Sequence, residues 1–293
     1  MTPLSADNIV LCGDARMVLP TLYPSIFDAV IVDGPYGLGL TPWDVGNDVW
    51  DPVFWSVVAR TLKAGRYLAA FSAPKYSHRL ATAIEAAGLS IEDNIPWLFG
   101  NGVPKGGRLK DGHDSIVLAA MPGQKRPLNI DDCRIPYETI EGASLAVNTH
   151  LRKSIKRGAR HGGGLFPAAK EKIVSPHPNG RYPSNVLHDG GAETLSSFSG
   201  PEHRFFYAAR LRGTERAEVS GGHLTPKPVS LMRWLVRLLT DPGERILDCF
   251  AGSGTTGVAA MIERRTVTLI EREDEFVASI RARLERGALE SSM

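Results

Sequence analysis

The sequence predicts an α/β fold, a mostly parallel sheet covered by helices on both faces. Three observations predict it. Short apolar runs rich in β-branched residues alternate with helix-like segments, as expected for strands buried on both sides. A glycine-rich turn, within LDCFAGSGTTGVAAM, joins one such run to a helix near the C-terminal end. Only 36 residues follow Gly257, enough for one helix, one strand and one more helix. A nucleotide-binding sheet needs further βα units, so these lie upstream and the two halves of the sheet are circularly permuted.

The elements follow in order. NIVLCGD (8–14) reads as a strand, followed by a short helix, and AVIVD (29–33) as a second strand ending at Gly34-Pro35. A helix over 53–62 and an Ala64-Gly65 turn lead to the strand YLAAFS (67–72). A helix over 76–87 is stopped by Gly88. Strands over 95–99 and 115–120 are joined by a Gly- and Lys-rich loop without helical period, which predicts an antiparallel pair. From 122 to about 220 Gly, Pro, His and basic residues dominate, as in HGGGLFP and SPHPNGRYP. So long an irregular stretch in a compact domain points to a functional role. Regular structure resumes with an amphipathic helix over 228–239, ended by Asp241-Pro242-Gly243, and a strand over 245–250. A Gly-rich turn and helix over 252–264, a strand over 266–271 and a helix over 274–285 complete the chain.

Composition narrows the class. A hydrophobic fraction of 43% with 23% charged residues describes an ordinary globular protein. The net charge of +2 says little about partners, but its distribution says more. Residues 151–182 hold eight Lys or Arg against one acid, Glu171, a stretch suited to a polyanion or to a solvated basic loop. Cys12, Cys133 and Cys249 are far apart, which suggests neither a disulfide framework nor a zinc site and fits a cytoplasmic location. The N-terminus has no signal-peptide pattern, and no apolar run approaches the roughly 20 residues of a membrane span.

Two motifs carry chemistry. Gly252, Gly254 and Gly257 fit G-x-G-x-x-G between a strand and a helix, where glycines let the backbone approach a ligand and the helix N-terminus offers free N–H groups. Glu271 ends the next strand, nineteen residues after Gly252, where a carboxylate can accept both ribose hydroxyls. A dinucleotide enzyme also uses this arrangement, and a tight turn without ligand is the plain structural alternative. The second motif is Asp33-Gly34-Pro35-Tyr36, directly after a strand and so at the ligand-binding edge of an open α/β sheet. A carboxylate and a turn carbonyl can each accept one N–H of an aromatic amine. They thereby favour the pyramidal form whose lone pair faces an electrophile. A tyrosine face can stack on an extruded base. The same residues also suit a turn that merely ends a strand.

Together these segments resemble the DNA amino-methyltransferases that modify adenine N6 or cytosine N4. The order resembles the permuted β class, with the catalytic motif ahead of the cofactor motif. GDARMVLPTL with FDAVIVDGPYG is similar to that family's opening, and HLTPKPVSLMRWLVRLLTDPGERILDCFAGSGTTGVAA to its cofactor-binding end. WLFGNGVPKG, LNIDDCRIP, GRYPSNVLHD and RFFYAARLRGTER resemble segments of phage and prophage members.

The resemblance implies a Rossmann-like, S-adenosylmethionine-dependent methyltransferase fold, with seven strands of which one is antiparallel. It implies a catalytic half over 1–121, an insertion with the target-recognition region over 122–220, and the cofactor-binding half over 221–293. Asp33, Gly34, Pro35 and Tyr36 would form the base pocket. Asp248 and the run Phe250, Ala251, Gly252, Ser253, Gly254 and Thr255 would pass beside the cofactor. Glu271 would hold its ribose, Asp14 would lie near its adenine, and Thr225 and Lys227 would reach its methionine carboxylate. Arg152, Lys153, Lys156, Arg157 and Arg160 would neutralise phosphates of double-stranded DNA. The assembly is compatible with a homodimer, and no membrane is involved. Adenine N6 is favoured because members whose tetrapeptide begins with Asp mostly resemble adenine enzymes. One departure stands out: the family usually has proline where this chain has Gly34, which keeps open a weakly active or inactive DNA-binding homologue. An RNA methyltransferase is a further alternative. A nicotinamide dehydrogenase is disfavoured by the permutation and by DGPY. Cytosine C5 chemistry is disfavoured because no cysteine follows a proline in a suitable turn.

Overall fold

The computed structural model describes residues 8–39, 48–102, 107, 109–137, 177–199, 203–204, 206–209 and 227–290. Among the described residues nine strands form one sheet: β1 (Ile9–Cys12), β2 (Phe27–Val32), β3 (Leu62–Ser72), β4 (Ser90–Leu98), β5 (His113–Ala120), β6 (Leu187–His188), β7 (Tyr207–Ala208), β8 (Arg245–Asp248) and β9 (Thr266–Glu271). Their order is β1-β9-β8-β2-β3-β5-β4-β6-β7. Of these nine, β5 alone runs against its neighbours, pairing antiparallel with both β3 and β4. The seven expected strands and the single reversed one are present. The two additional strands, β6 and β7, are two residues each and extend the edge beyond β4. They come from the stretch that reads as irregular, because two residues cannot display a period.

Strand alternation sorts the core into two layers. Ala29 and Ile31 face one side, with Ala69, Leu118 and Ile246. Val30 and Val32 face the other, with Leu68, Ala70 and Val117. The second layer is covered by helices α2 (Pro52–Thr61) and α3 (Ser77–Ala86), through Phe54, Trp55, Leu80 and Ile84. Asp51 caps α2 by accepting from the Val53 N–H, with Pro52 at the first helical position. A four-residue helix, α1 (Ala15–Val18), follows β1, and a five-residue one, α4 (Ala192–Ser196), follows β6.

The first layer is covered by α5 (Val229–Leu239), α6 (Thr255–Ile262) and α7 (Asp274–Glu290). Among the described residues no helix is long and apolar enough to cross a membrane. Cys12, Cys133 and Cys249 are free.

Gly257 shows how tightly α6 sits on the sheet. A Cβ there would lie 2.8 Å from Leu269 Cδ1 and 2.9 Å from Leu284 Cδ2. Gly257→Ala should therefore lower the melting temperature. The helix-propensity gain of about 1 kcal/mol is offset by overpacking of about 1–3 kcal/mol. A variant that melts higher than the parent would show that β9 and α7 yield at this contact.

Candidate active site

The two motifs, far apart in sequence, meet because β2 and β8 are neighbours, pairing Ala29 with Ile246 and Val30 with Leu247. Both strands run the same way, so the turns that follow them emerge side by side. Phe250 packs against Gly34: a Cβ on Gly34 would lie 3.1 Å from Phe250 Cδ2 and 3.2 Å from Val49 Cγ1.

The glycine turn is braced from within. Asp248 is buried, and its Oδ1 accepts from the Phe250 N–H at 3.0 Å while Oδ2 accepts from Thr256 Oγ1 at 2.5 Å. Asp248 thus supports the loop, and its carboxylate is turned inward to the loop and α6. Gly252 and Gly254 have positive φ, +50° and +74°, conformations that side chains disfavour. A Cβ on Gly254 would also meet Ile280 at 3.1 Å. Ser253 and Thr255 share a hydroxyl contact of 2.9 Å, and Ala251 is held by its N–H to the Ile270 carbonyl.

Glu271 sits one strand away. Its Oε2 accepts from the Gly252 N–H at 2.8 Å, and its Oε1 from the N–H groups of Arg272 and Glu273 at 2.8 and 3.0 Å. Three backbone donors fix this carboxylate beside the glycine turn. Asp14 caps α1 through the Arg16 N–H at 2.8 Å, and the preceding Gly13 N–H donates to the Glu271 carbonyl at 2.9 Å. Asp14, Glu271 and the glycine turn thus occupy the ends of three adjacent strands, β1, β9 and β8.

The tetrapeptide end is a charged cluster. Tyr36 Oη lies 3.1 Å from Asp33 Oδ1 and 3.2 Å from Asp114 Oδ2. Lys227 Nζ lies 3.1 Å from Asp33 Oδ2 and 3.4 Å from Asp114 Oδ2. The same ammonium stands 5.1 and 5.2 Å from the ring centroids of Tyr36 and Phe71. Burial pushes the Tyr36 hydroxyl well above its ordinary value, and the two carboxylates push the same way. Burial opposes the charge on Lys227, but Asp33 and Asp114 outweigh it and hold the ammonium form more firmly than usual.

The structure therefore turns Lys227 to Asp33 and Asp114, where the resemblance implied a cofactor carboxylate. Its companion Thr225 lies outside the described residues, as do Arg152, Lys153, Lys156, Arg157 and Arg160.

Asp114 is the residue that the sequence reading missed. A signal existed in HDSIVLAA. A strand predicted to run against the sheet brings its first residues, not its last, to the edge where the parallel strands end. An acid at its start therefore belongs to the site. Among the described residues no cluster of His, Cys, Asp and Glu suits a metal ion.

Comparison with known proteins gives the family and the fold. The family model for DNA methylases of N6 and N4 type matches residues 27–282. The type II methyltransferase M1.MboII of Moraxella bovis is 25% identical over 253 residues, 84% of this chain and 85% of that protein. The PvuII DNA methyltransferase, described as cytosine-N4-specific, superposes with a TM-score of 0.61 at 15% identity, covering 97% of this chain and 92% of that one. M1.HpyAVI in complex with SAM superposes with a TM-score of 0.52 at 16% identity, covering 94% and 98%.

The bracing role of Asp248 has a pH signature. Burial pushes its carboxyl up to about 7, against the opposing hydrogen bonds from Thr256 and Phe250. The folded chain holds this proton more tightly than the unfolded one, whose carboxyl titrates near 4. Stability from this group is therefore lost as pH rises between about 4 and 7, and is flat above. Asp248→Asn should remove that slope, so its stability relative to the parent should rise across the window in denaturant titrations. Parallel pH curves for the two proteins would refute it.

Proposed function

This chain belongs to the DNA methylase family of N6 and N4 type, and from that premise we propose that it transfers a methyl group from S-adenosylmethionine to the N6 amino group of adenine in double-stranded DNA. The observation that carries the reading is the contact of the two turns: Phe250 of the glycine turn against Gly34 of the tetrapeptide. It sets the cofactor side and the base side at van der Waals distance, as direct transfer demands.

The residues fit the cofactor. Positive φ at Gly252 and Gly254 opens a backbone cradle at the start of α6. Glu271, already oriented by three N–H groups, is the acceptor for the ribose hydroxyls. Asp14, at the end of β1, is placed for the adenine of the cofactor. Phe250 to Thr255 line the path of its methionine part. When bound, the cofactor supplies an electrophilic methyl group.

The other residues act on the base. Asp33 accepts one N–H of the amine and the Gly34 carbonyl accepts the other, which directs the nitrogen lone pair at the methyl. Lys227 is the counter-ion that holds the Asp33 side chain in place. Tyr36, with its hydroxyl anchored between two carboxylates, offers its ring to the base, which must leave the duplex stack to be reached. Arg152, Lys153, Lys156, Arg157 and Arg160 neutralise phosphates in the target-recognition region. The assignment to adenine rests on Asp33, since members that open the tetrapeptide with Asp mostly resemble adenine enzymes.

Two measurements test these roles. In calorimetry the protein should bind S-adenosylmethionine, and Glu271→Ala should weaken it by about 1.5–3 kcal/mol, the worth of hydrogen bonds to a charged group. Asp33→Ala should bind the cofactor normally and transfer no methyl. Normal turnover in that variant would relocate the site.

The base is identified by digesting methylated DNA to nucleosides for mass spectrometry. N6-methyladenine is expected. N4-methylcytosine alone would refute adenine and leave amino-methyl transfer standing.

A further inference from the structure

The charged cluster has more acceptors than hydrogens. Tyr36 has one hydroxyl hydrogen, yet its oxygen is 3.1 Å from Asp33 Oδ1 and 3.2 Å from Asp114 Oδ2. Whichever carboxylate receives that hydrogen, the other contact sets lone pair against lone pair unless that carboxylate carries a proton. Lys227 does not relieve this, because its hydrogens go to Asp33 Oδ2 and Asp114 Oδ2. Charge gives the same count. Among the described residues, two carboxylates against one ammonium leave one negative charge, where the Lys227 and Asp114 side chains are only 9% and 14% exposed. At rest the cluster is thus short of one proton, and a proton supplied by the reaction satisfies both counts.

We propose that Asp33, Tyr36 and Asp114 form a relay that takes up the proton released when the base amine is methylated and holds it on Asp114. The relay rests on the amino-methyl transfer reading and gives its proton a destination. As the nitrogen bonds to the methyl carbon, the bond from that carbon to the donor breaks. The nitrogen then carries two hydrogens and a positive charge. One N–H bond breaks, its electron pair stays on nitrogen, and the proton passes to Asp33. Asp33 Oδ1 returns a proton to the Tyr36 oxygen while Tyr36 gives its own to Asp114 Oδ2. Asp33 and Tyr36 are restored, and Asp114 ends as a neutral acid until solvent reclaims the proton.

The groups facing Asp114 favour this end state. Among the described residues they are Tyr36 and Asp33 from the end of β2 and the turn after it, and Lys227 from the segment before α5. Asp248, at the end of β8, is a further neighbour of Asp33 and adds negative charge only above the pH of about 7 at which its own carboxyl titrates. Burial raises the Asp114 carboxyl above its ordinary range, Lys227 opposes that, and Asp33 adds to it.

The test compares the full chain with Asp114→Asn, Asp114→Glu and Tyr36→Phe. Infrared difference spectra between the resting protein and the protein after one turnover with cofactor and duplex DNA should show a new protonated-carboxyl band in the parent that Asp114→Asn lacks. With cofactor and duplex DNA, Asp114→Asn and Tyr36→Phe should slow single-turnover methylation by about 10²-fold, the lower range for general acid–base steps. Cofactor affinity should be unchanged. Asp114→Glu should recover part of the rate, and the pH–rate profile of Asp114→Asn should lose its carboxyl limb. An unchanged infrared band, or a parental pH–rate profile in Asp114→Asn, overturns the relay. Should Asp114→Asn fail to fold, Tyr36→Phe decides through the rate, since it removes the bridge and no charge. A parent that methylates no DNA overturns the transfer reading itself. An active parent with fully active variants overturns the relay alone.

Discussion

The pairing of β2 with β8 is the contact on which the rest of the structure depends, and a buried carboxylate enforces it. Asp28, in β2, accepts from the Arg245 N–H at the start of β8 at 3.1 Å. The same carboxylate is held by Lys63 Nζ at 2.8 and 2.9 Å and by Arg66 at 3.1 Å, both from β3. Glu244 continues the network to Arg66 and Arg126. The Asp28 side chain is 4% exposed, so losing a partner would leave a buried charge uncompensated, a large penalty. A slip of one residue would also turn every side chain of β2 to the wrong face. Three strands are thereby locked in register at their lower ends.

The consequence appears at their upper ends. Because β2 and β8 start level, they finish level, and Gly34 meets Phe250. The two ends of β2 carry opposite kinds of charged cluster. Asp28 has two cations and a backbone N–H, so its charge is fully answered. Asp33 shares one ammonium with Asp114, so that cluster retains a negative charge and an unmet hydrogen-bond demand. The first arrangement is suited to holding strands together, and the second to meeting a substrate that brings hydrogens and positive charge.

How much of this was legible in the sequence follows from the length over which each signal repeats. The seven longer strands and the main helices were legible, because alternation and helical period need several residues to show. The strand Thr266–Glu271 was read to the residue, since Arg265 and Arg272 bound its apolar run. The strands Leu187–His188 and Tyr207–Ala208 were invisible, having no room for a period. At the site, the glycine turn, Glu271 and the tetrapeptide were legible because each sits against a strand end. The inward turn of Asp248 and the pairing of Lys227 with Asp33 were not. Both are set by neighbours across turns, Thr256 eight residues on in the next helix and Asp33 almost two hundred residues away. Asp114 needed the reversed strand to be taken to its geometric conclusion.

Gly34 bears on whether the site is built to turn over. Glycine in a catalytic turn loosens the backbone only where nothing else confines it. Here the space a side chain would use is already filled, by Phe250 on one side and Val49 on the other. A pyrrolidine ring at this position would compete with both, so the confinement that proline gives its relatives comes in this chain from packing. The neighbouring carboxylate is fixed independently, by Tyr36 at one oxygen and Lys227 at the other. Backbone freedom at Gly34 is therefore not passed on to Asp33. An inactive homologue would have no use for a buried cluster that leaves a charge unanswered. Replacing such groups with apolar ones of similar shape is commonly neutral or stabilising. Their presence around an intact glycine turn favours a working enzyme over a scaffold without chemistry.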